Sequence, residues 1–404
     1  MEHIFSEQQK LIDSLTSTRR YLHGLMEWDE RCIGILGARG TGKTTLMLQQ
    51  IKAVWPTGNK ALYVSVDSPY FQSRNLFEFA REFHQVGGEA LFLDEIHKYP
   101  DWSLHIKSIY DSMPGLKVVF SGSSLLQISK QKGDLSRRAI VYNLHGLSLR
   151  EYINFVHVKD YPTYSLETIL ADHQQIANKL CREIKPLKEF NDYLQTGHYP
   201  FFLEGESLYK FKVREVINHI LEVDLPLVNR IEARQISKLK KLLYLLATSV
   251  PFVPNIAKLA EATDISRPRL YEYLENLQDA KLINLVRSQG RGYEVLTRPE
   301  KILLENGNLM YAITDAVNTG ALRELFFVNQ MRNANNIHPQ LLENSVELAA
   351  SGDFVVNGRY TFEVGGKNKG LKQISGVPEA YIAADNIETG FNKKIPLWLF
   401  GFLY

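Results

Sequence analysis

Apolar and polar positions fall into short blocks along the first 150 residues. Cys32, Ile33, Ile35 and Leu36 form an apolar run, a glycine-rich stretch follows, and Leu46, Met47, Leu48 and Ile51 then recur at helical spacing. The order is strand, loop, helix. Upstream, Ile4, Leu11, Ile12, Leu15 and Leu22 predict a helical lead over residues 1–28, with the basic pair Arg19 and Arg20 inside it. Downstream, Trp55 to Asn59 breaks the pattern. Ala61 to Val66 reads as a buried strand, Asn75 to Gln85 as a helix, and Ala90 to Leu93 as a strand that ends in Asp94 and Glu95. Leu116 to Phe120 predicts a further strand running into Ser121. Strands alternating with helices predict an α/β core around a parallel sheet.

The pattern changes after residue 155. Residues 156–232 read as helical and rich in aromatics, with a turn from Gly197 to Pro200 and no phosphate or metal motif; His198 is given no role. From Ile236 three helices follow closely: one carrying Leu242, Leu243, Leu245 and Leu246, one from Ile256 to Ala262, and one from Ser266 to Leu277 with an N-cap serine and the early Pro268. Strands at Leu282–Val286 and Tyr293–Leu296 would flank a basic loop. Three helices and such a hairpin predict a winged helix-turn-helix over residues 233–300. Arg267, Arg269, Arg287 and Arg291 suit phosphate contacts, whereas Glu272, Glu275 and Asp279 would repel DNA, so a DNA-facing and a protein-facing use both stand.

Residues 301–404 read as a helix from Ala321 to Asn333, strands turning at Asn357-Gly358, and a strongly apolar end from Pro396. Asp353, Glu363 and Lys367 have the order of a metal-dependent nuclease site, or else belong to a charged hairpin. Strand parity separates the two. A two-residue turn would pair Asp353 with Phe362 and turn Glu363 away. A three-residue turn of Val356 to Gly358 would pair Asp353 with Thr361 and leave both acids on one face. The three-residue turn is the expectation, with Asp353 and Glu363 in joint reach of one cation and Glu324 nearby.

Length and composition narrow the partners. A chain of 404 residues calls for two or three domains, and 45% hydrophobic with 23% charged residues is the make-up of a soluble protein. The net charge of +2 means that any nucleic-acid surface is a local patch. Two cysteines, Cys32 and Cys181, provide neither a disulfide framework nor a cysteine-based zinc site. The polar start MEHIFSEQQK has no apolar signal region and the apolar runs are short, so a cytoplasmic protein without a membrane partner is expected.

The chemistry concentrates in the stretch GARGTGKTT. Gly37, Ala38, Arg39, Gly40, Thr41, Gly42, Lys43, Thr44 and Thr45 complete the pattern G-x-x-x-x-G-K-[ST]. Glycines let backbone N–H groups turn inward around a phosphate, and the following helix adds its dipole. Lys43 would reach the β- and γ-phosphates of ATP and the Thr44 hydroxyl would ligate Mg²⁺. Asp94, at the end of an apolar strand, would lie near that metal and Glu95 near the γ-phosphate, where it can orient and deprotonate a water; paired acids after a strand also serve as helix caps. Arg137 and Arg138 either point at a phosphate across a subunit boundary or form a solvated basic pair.

Taken together, the P-loop, the run LFLDEIHKYPDW and VVFSGSS followed by LSRRAIVYNLHGLSLREY resemble the AAA-like P-loop ATPases of the archaeal-ATPase type. The resemblance implies an ASCE/AAA-like P-loop core over residues 29–155, a helical segment, a winged helix, and a C-terminal restriction-endonuclease-like domain of the PD-(D/E)xK fold. It implies Asp94 as the Walker B ligand, Glu95 as catalytic base, Ser121 as the sensor residue and Arg138 as the arginine before the next strand. It also implies Glu324, Asp353 and Glu363 as the nuclease acids, although position 365, where the lysine belongs, is Gly365 and Lys367 lies two residues on. The expected function is hydrolysis of ATP with Mg²⁺ as a conformational switch acting on DNA or a protein partner, alone or as a homo-oligomer. An ATP-controlled DNA nuclease and a nucleotide-bound interaction module are the alternatives.

Overall fold

The computed structural model describes residues 2–56, 58–122, 135, 137–226, 231–248, 255–288, 300–334, 336 and 345–404. They divide into two compact units, one reaching His145 and one starting at Gly146.

In the first unit five parallel strands, β1 (Cys32–Leu36), β2 (Ala61–Ser65), β3 (Ala90–Asp94), β4 (Lys117–Gly122) and β5 (Ile140–Asn143), lie in the order β2-β3-β4-β1-β5. Helices α1 (Glu2–Asp13), α2 (Lys43–Val54), α3 (Leu76–Gln85) and α4 (Trp102–Ser112) accompany them. Every residue of β1 and β3 is buried, which is why both read as near-continuous apolar runs. The start of α3 is local chemistry: the Asn75 side chain accepts from the Glu78 N–H, and Leu76, Phe79, Ala80 and Phe83 then face the core at helical spacing. One apolar layer joins them to Trp102, Ile106, Leu91 and Val118. Another joins Leu46, Met47 and Ile51 to Ile33, Phe92 and Val119. Because β4 is inserted between β1 and β3, the glycine-rich loop after β1, Ser121 on β4 and Asp94 on β3 all emerge from the same end of the sheet.

The second unit begins with α5 (Leu149–His157), α6 (Leu166–Leu180), α7 (Pro186–Thr196) and α8 (Tyr209–His219). Next come α9 (Ala233–Thr248), α10 (Ile256–Thr263) and α11 (Arg267–Asp279), then β6 (Ile283–Val286) paired antiparallel with β7 (Lys301–Leu304). The strand expected at Tyr293–Leu296, and Arg291 with it, lies outside the described residues. Two helices, α12 (Gly307–Ile313) and α13 (Thr319–Ala334), lead into a mixed sheet of β8 (Val346–Leu348), β9 (Phe354–Val356), β10 (Tyr360–Gly365), β11 (Ala380–Ala384) and β12 (Lys394–Pro396). Phe327 of α13 packs on Phe354, Phe362 and Phe400 with ring centroids 5.8, 4.9 and 5.2 Å away, which fixes the helix on the sheet. Among the described residues no helix is long and apolar enough to cross a membrane.

The β9–β10 hairpin corrects the expected register. Val356 pairs with Tyr360 and Phe354 with Phe362, so the three-residue turn is Asn357 to Arg359 rather than Val356 to Gly358. Asn357 and Gly358 have φ of 55° and 63°, a conformation that asparagine and glycine tolerate and valine does not. Beyond Phe354 the ladder breaks: Gly352 has φ of 95° and the Asp353 N–H donates to the Phe362 carbonyl at 2.9 Å, so Asp353 is not set opposite Thr361.

Candidate functional site

The loop after β1 is built around missing side chains. A Cβ on Gly37 would lie 2.3 Å from the Leu144 carbonyl oxygen, so only glycine fits without moving the chain beyond β5. Gly40 and Gly42 have φ of 81° and 92°, the left-handed region. Thr41 Oγ1 donates to the Ala38 carbonyl at 2.9 Å, and Lys43 Nζ donates to the Gly37 and Ala38 carbonyls, each at 3.0 Å. Lys43 is buried, Ala38 and Arg39 are partly exposed and Thr45 faces solvent. The loop is also held from outside. Buried Arg20 donates to the Thr41 carbonyl and, at 2.8 Å, to the His145 carbonyl. Nothing local in the sequence marks Arg20, because both acceptors are backbone atoms distant in the chain.

Four donors converge on the buried Asp94 carboxylate. Oδ2 accepts from Thr44 Oγ1 at 2.5 Å and from the Tyr63 hydroxyl at 2.9 Å; Oδ1 accepts from Ser121 Oγ and from the Glu95 N–H at 3.1 Å. This brings the loop, β2, β3 and β4 to one carboxylate. Burial, and then the Asp94 charge, push the Tyr63 hydroxyl far above its ordinary range, so it remains a donor. Tyr63 was not among the expected site residues; it sits inside a strand whose apolar pattern hides a polar tip.

Glu95 stands in the left-handed region at φ 55° and ψ 36°, which for a non-glycine residue costs on the order of 1 kcal/mol. The strain is located where the second carboxylate leaves the strand. His97 Nε2 lies 3.7 Å from Glu95 Oε2, and His97 is itself buried. Burial pushes its pKa from 6.5 down to about 4, with Glu95 opposing and Lys43 and Lys98 assisting, so the imidazole is neutral near pH 7. The unfolded chain therefore binds the extra proton between those values. His97 contributes stability that is complete above about pH 6.5 and lost as pH falls toward about 4. We expect His97→Gln to flatten the pH dependence of urea unfolding by up to about 2 kcal/mol between neutral pH and pH 5. An unchanged slope would assign the acid sensitivity to other groups.

Arg138 is elsewhere. It forms a two-pronged pair with Asp111, Nε to Oδ1 at 2.8 Å and a terminal nitrogen to Oδ2 at 2.9 Å. It precedes β5, at the end of the parallel sheet opposite the loop, so the length of a strand, about 13 Å for four residues, keeps it from the loop of its own chain. Arg137 is exposed beside it.

The metal site expected of Glu324, Asp353, Glu363 and Lys367 does not form. Glu324 takes Lys301 Nζ at 2.6 Å, Glu363 takes Lys369 Nζ, and Asp353 Oδ2 accepts from the Val364 N–H at 2.7 Å. Among the described residues no group of three or more His, Cys, Asp or Glu is placed to hold a metal. The lysine on Glu363 is Lys369, not Lys367, because the chain folds back after Gly365-Gly366, the Lys369 N–H donating to Gly366 at 2.9 Å. Of the arginines proposed for DNA, Arg267 and Arg269 are exposed at the start of α11, whereas Arg287 is paired with Glu275.

Residues 29–153 match the family described as AAA domain, and residues 187–315 match one described as a domain of unknown function, DUF8612. Two uncharacterized proteins of Methanocaldococcus jannaschii are similar to the chain. One is 25% identical over 281 residues, 66% of this chain and 59% of its own length. The other is 24% identical over 311 residues, 74% of this chain and 66% of its own length. The chain thus spans less than two thirds of either relative. The solved structure of a Walker-type ATPase from Pyrococcus abyssi aligns at 14% identity and a TM-score of 0.41, over 76% of this chain and 94% of that one. Residues 29–153 thus match the AAA domain family, and their parallel sheet, glycine loop and Asp94 have the arrangement of a P-loop core.

Proposed function

We propose that the first unit binds ATP with Mg²⁺ on Gly37–Thr45 and hydrolyses it as a conformational switch. The observation that carries this reading is the Thr44 hydroxyl meeting the Asp94 carboxylate at 2.5 Å beneath the loop, two oxygen donors of the kind Mg²⁺ takes, gathered at one point. When bound, the metal would neutralise charge on the phosphoryl oxygens. Lys43 would exchange its carbonyl partners for phosphate oxygens, Tyr63 and Ser121 would hold Asp94 in orientation, and Glu95 would take the proton of the attacking water. Arg138, remote from its own loop, would serve only the site of a neighbouring copy. Phosphate release that requires Mg²⁺ and stops with Lys43→Ala supports the reading; a wild-type chain that binds ATP and releases no phosphate would leave only the nucleotide-bound interaction module.

A second reading concerns the target. Exposed Arg267 and Arg269 open the helix α11, directly after the short α10–α11 turn, as the leading helix of a winged helix over residues 233–300 would present them. In this reading residues 156–232 link that module to the core, and residues 301–404 keep a nuclease-like fold without a metal site. DNA affinity should then fall steeply with salt, and Arg267→Ala with Arg269→Ala should lower the slope of log affinity against log salt by about 2. Binding indifferent to salt, or unaltered in the double variant, would turn the module toward a protein partner.

A further inference from the structure

The crest of the loop after β1 carries an arginine that the turn itself does not use. Gly37 and Thr41 are buried, whereas Ala38, Arg39 and Gly40 between them are partly exposed, so Arg39 stands on the accessible part of the loop. The backbone around it is fixed by its neighbours. Thr41 Oγ1 donates to the Ala38 carbonyl at 2.9 Å, and Gly40 supplies the left-handed residue at φ 81°. Lys43 Nζ donates to the same Ala38 carbonyl at 3.0 Å, which places the ammonium one peptide unit from the Arg39 Cα. Nothing in these bonds calls for a guanidinium at position 39.

The other cations named around the site are engaged. Lys43 holds the Gly37 and Ala38 carbonyls, Arg20 holds the Thr41 and His145 carbonyls, and Lys98 pairs with Asp67 at 2.5 Å. Arg138 is held by Asp111 at the far end of the sheet. Arg39 has no partner among the described residues.

Resting on the ATP reading of this loop, we propose that Arg39 recognises the terminal phosphate and makes the site selective for nucleoside triphosphates over diphosphates. The N–H groups of such a loop and the start of the helix after it take the inner phosphates, and Lys43 spans the inner and the terminal one. Arg39 joins the loop one peptide unit from the place where Lys43 is held, and its long stem carries the fork to the phosphate that Lys43 also reaches. A planar guanidinium presents paired donors to phosphate oxygens and keeps its charge at any working pH. Thr44 and Asp94 meet beneath the loop, so the arginine comes to the phosphate from the exposed crest while the metal ligands lie below. Charge that builds on the phosphoryl oxygens during transfer then meets an arginine of the same chain, whatever the part of Arg138.

The test is equilibrium binding of a fluorescent non-hydrolysable ATP analogue and of the matching ADP analogue, each with Mg²⁺, to the full chain. Arg39→Ala should weaken the triphosphate about tenfold or more and the diphosphate by less than about twofold. Arg39→Lys keeps the charge but not the fork, and should fall between wild type and Arg39→Ala for the triphosphate. Lys43→Ala should weaken both nucleotides. Equal weakening of the two nucleotides in Arg39→Ala, the mark of a residue that only shapes the loop, would overturn the proposal and leave the ATP site standing. So would unaltered affinity for both. A wild-type chain that binds neither nucleotide would remove the ATP reading and this proposal with it.

Discussion

Glu95→Gln is expected to bind ATP as tightly as the wild-type chain while turnover falls roughly 10²-fold or more. The amide preserves the shape of the side chain and its acceptor oxygen, but it cannot take a proton from water. Binding should survive because the loop is built by Gly37, Gly40, Gly42, Arg20 and Lys43, none of which depends on Glu95. The neighbouring Asp94 keeps three of its four donors from Thr44, Tyr63 and Ser121 and the fourth from a main-chain N–H, so the substitution leaves that carboxylate in position. An unchanged rate in Glu95→Gln would remove Glu95 as the base. The same variant tests Arg138: mixed with Arg138→Ala chains, it should regain part of the lost turnover if one copy supplies the arginine to another. Failure in an assembly shown to be mixed would leave Arg138 to its pair with Asp111.

Arg332→Met is expected to destabilise the second unit by about 2–3 kcal/mol, the loss of charge-assisted hydrogen bonds. Arg332 is partly buried and joins three elements, donating to Asn284 Oδ1 at 3.0 Å and the Leu285 carbonyl at 2.8 Å on β6, and to the Val346 carbonyl at 3.3 Å on β8. Burial draws its pKa down to about 10, with Glu305 opposing, so it stays charged at neutral pH. Methionine fills most of the volume but leaves buried acceptors without a donor. It also removes one of the two cations, Lys281 and Arg332, whose charge favours the buried Glu305 carboxylate, which accepts from the Asn284 and Asn329 amides at 2.7 and 3.1 Å. Glu305→Gln should therefore recover part of the loss in the double variant, a coupling that denaturant unfolding of the four chains measures directly. Stability equal to wild type in Arg332→Met would contradict this account of the core.

The parallel sheet was legible because its strands are buried on both faces and its helices announce themselves by caps and spacing, as at Asn75 and α3. The glycine loop was legible because steric exclusion acts residue by residue: what Gly37 must avoid, the Leu144 carbonyl, cannot be read from the sequence, but the need for glycine can. Contacts through space were not legible. Arg20 reaches backbone carbonyls, Tyr63 comes from a neighbouring strand, and His97 is defined by burial rather than by a motif. In the second unit parity reasoning misplaced the turn by one residue. It also named Lys367, whereas the ammonium on Glu363 is that of Lys369, because how far a chain runs after a turn at two glycines is not written in the spacing.

The central claim is that the loop after β1 is an ATP site whose grip depends on Lys43. Equilibrium binding of a fluorescent ATP analogue with Mg²⁺, to the wild-type chain and to Lys43→Ala, tests it most directly. We predict saturable one-site binding by the wild type and affinity at least about tenfold weaker in Lys43→Ala, the loss of one charge-assisted contact. Equal affinity in the two chains, or no binding by the wild type, would contradict the account.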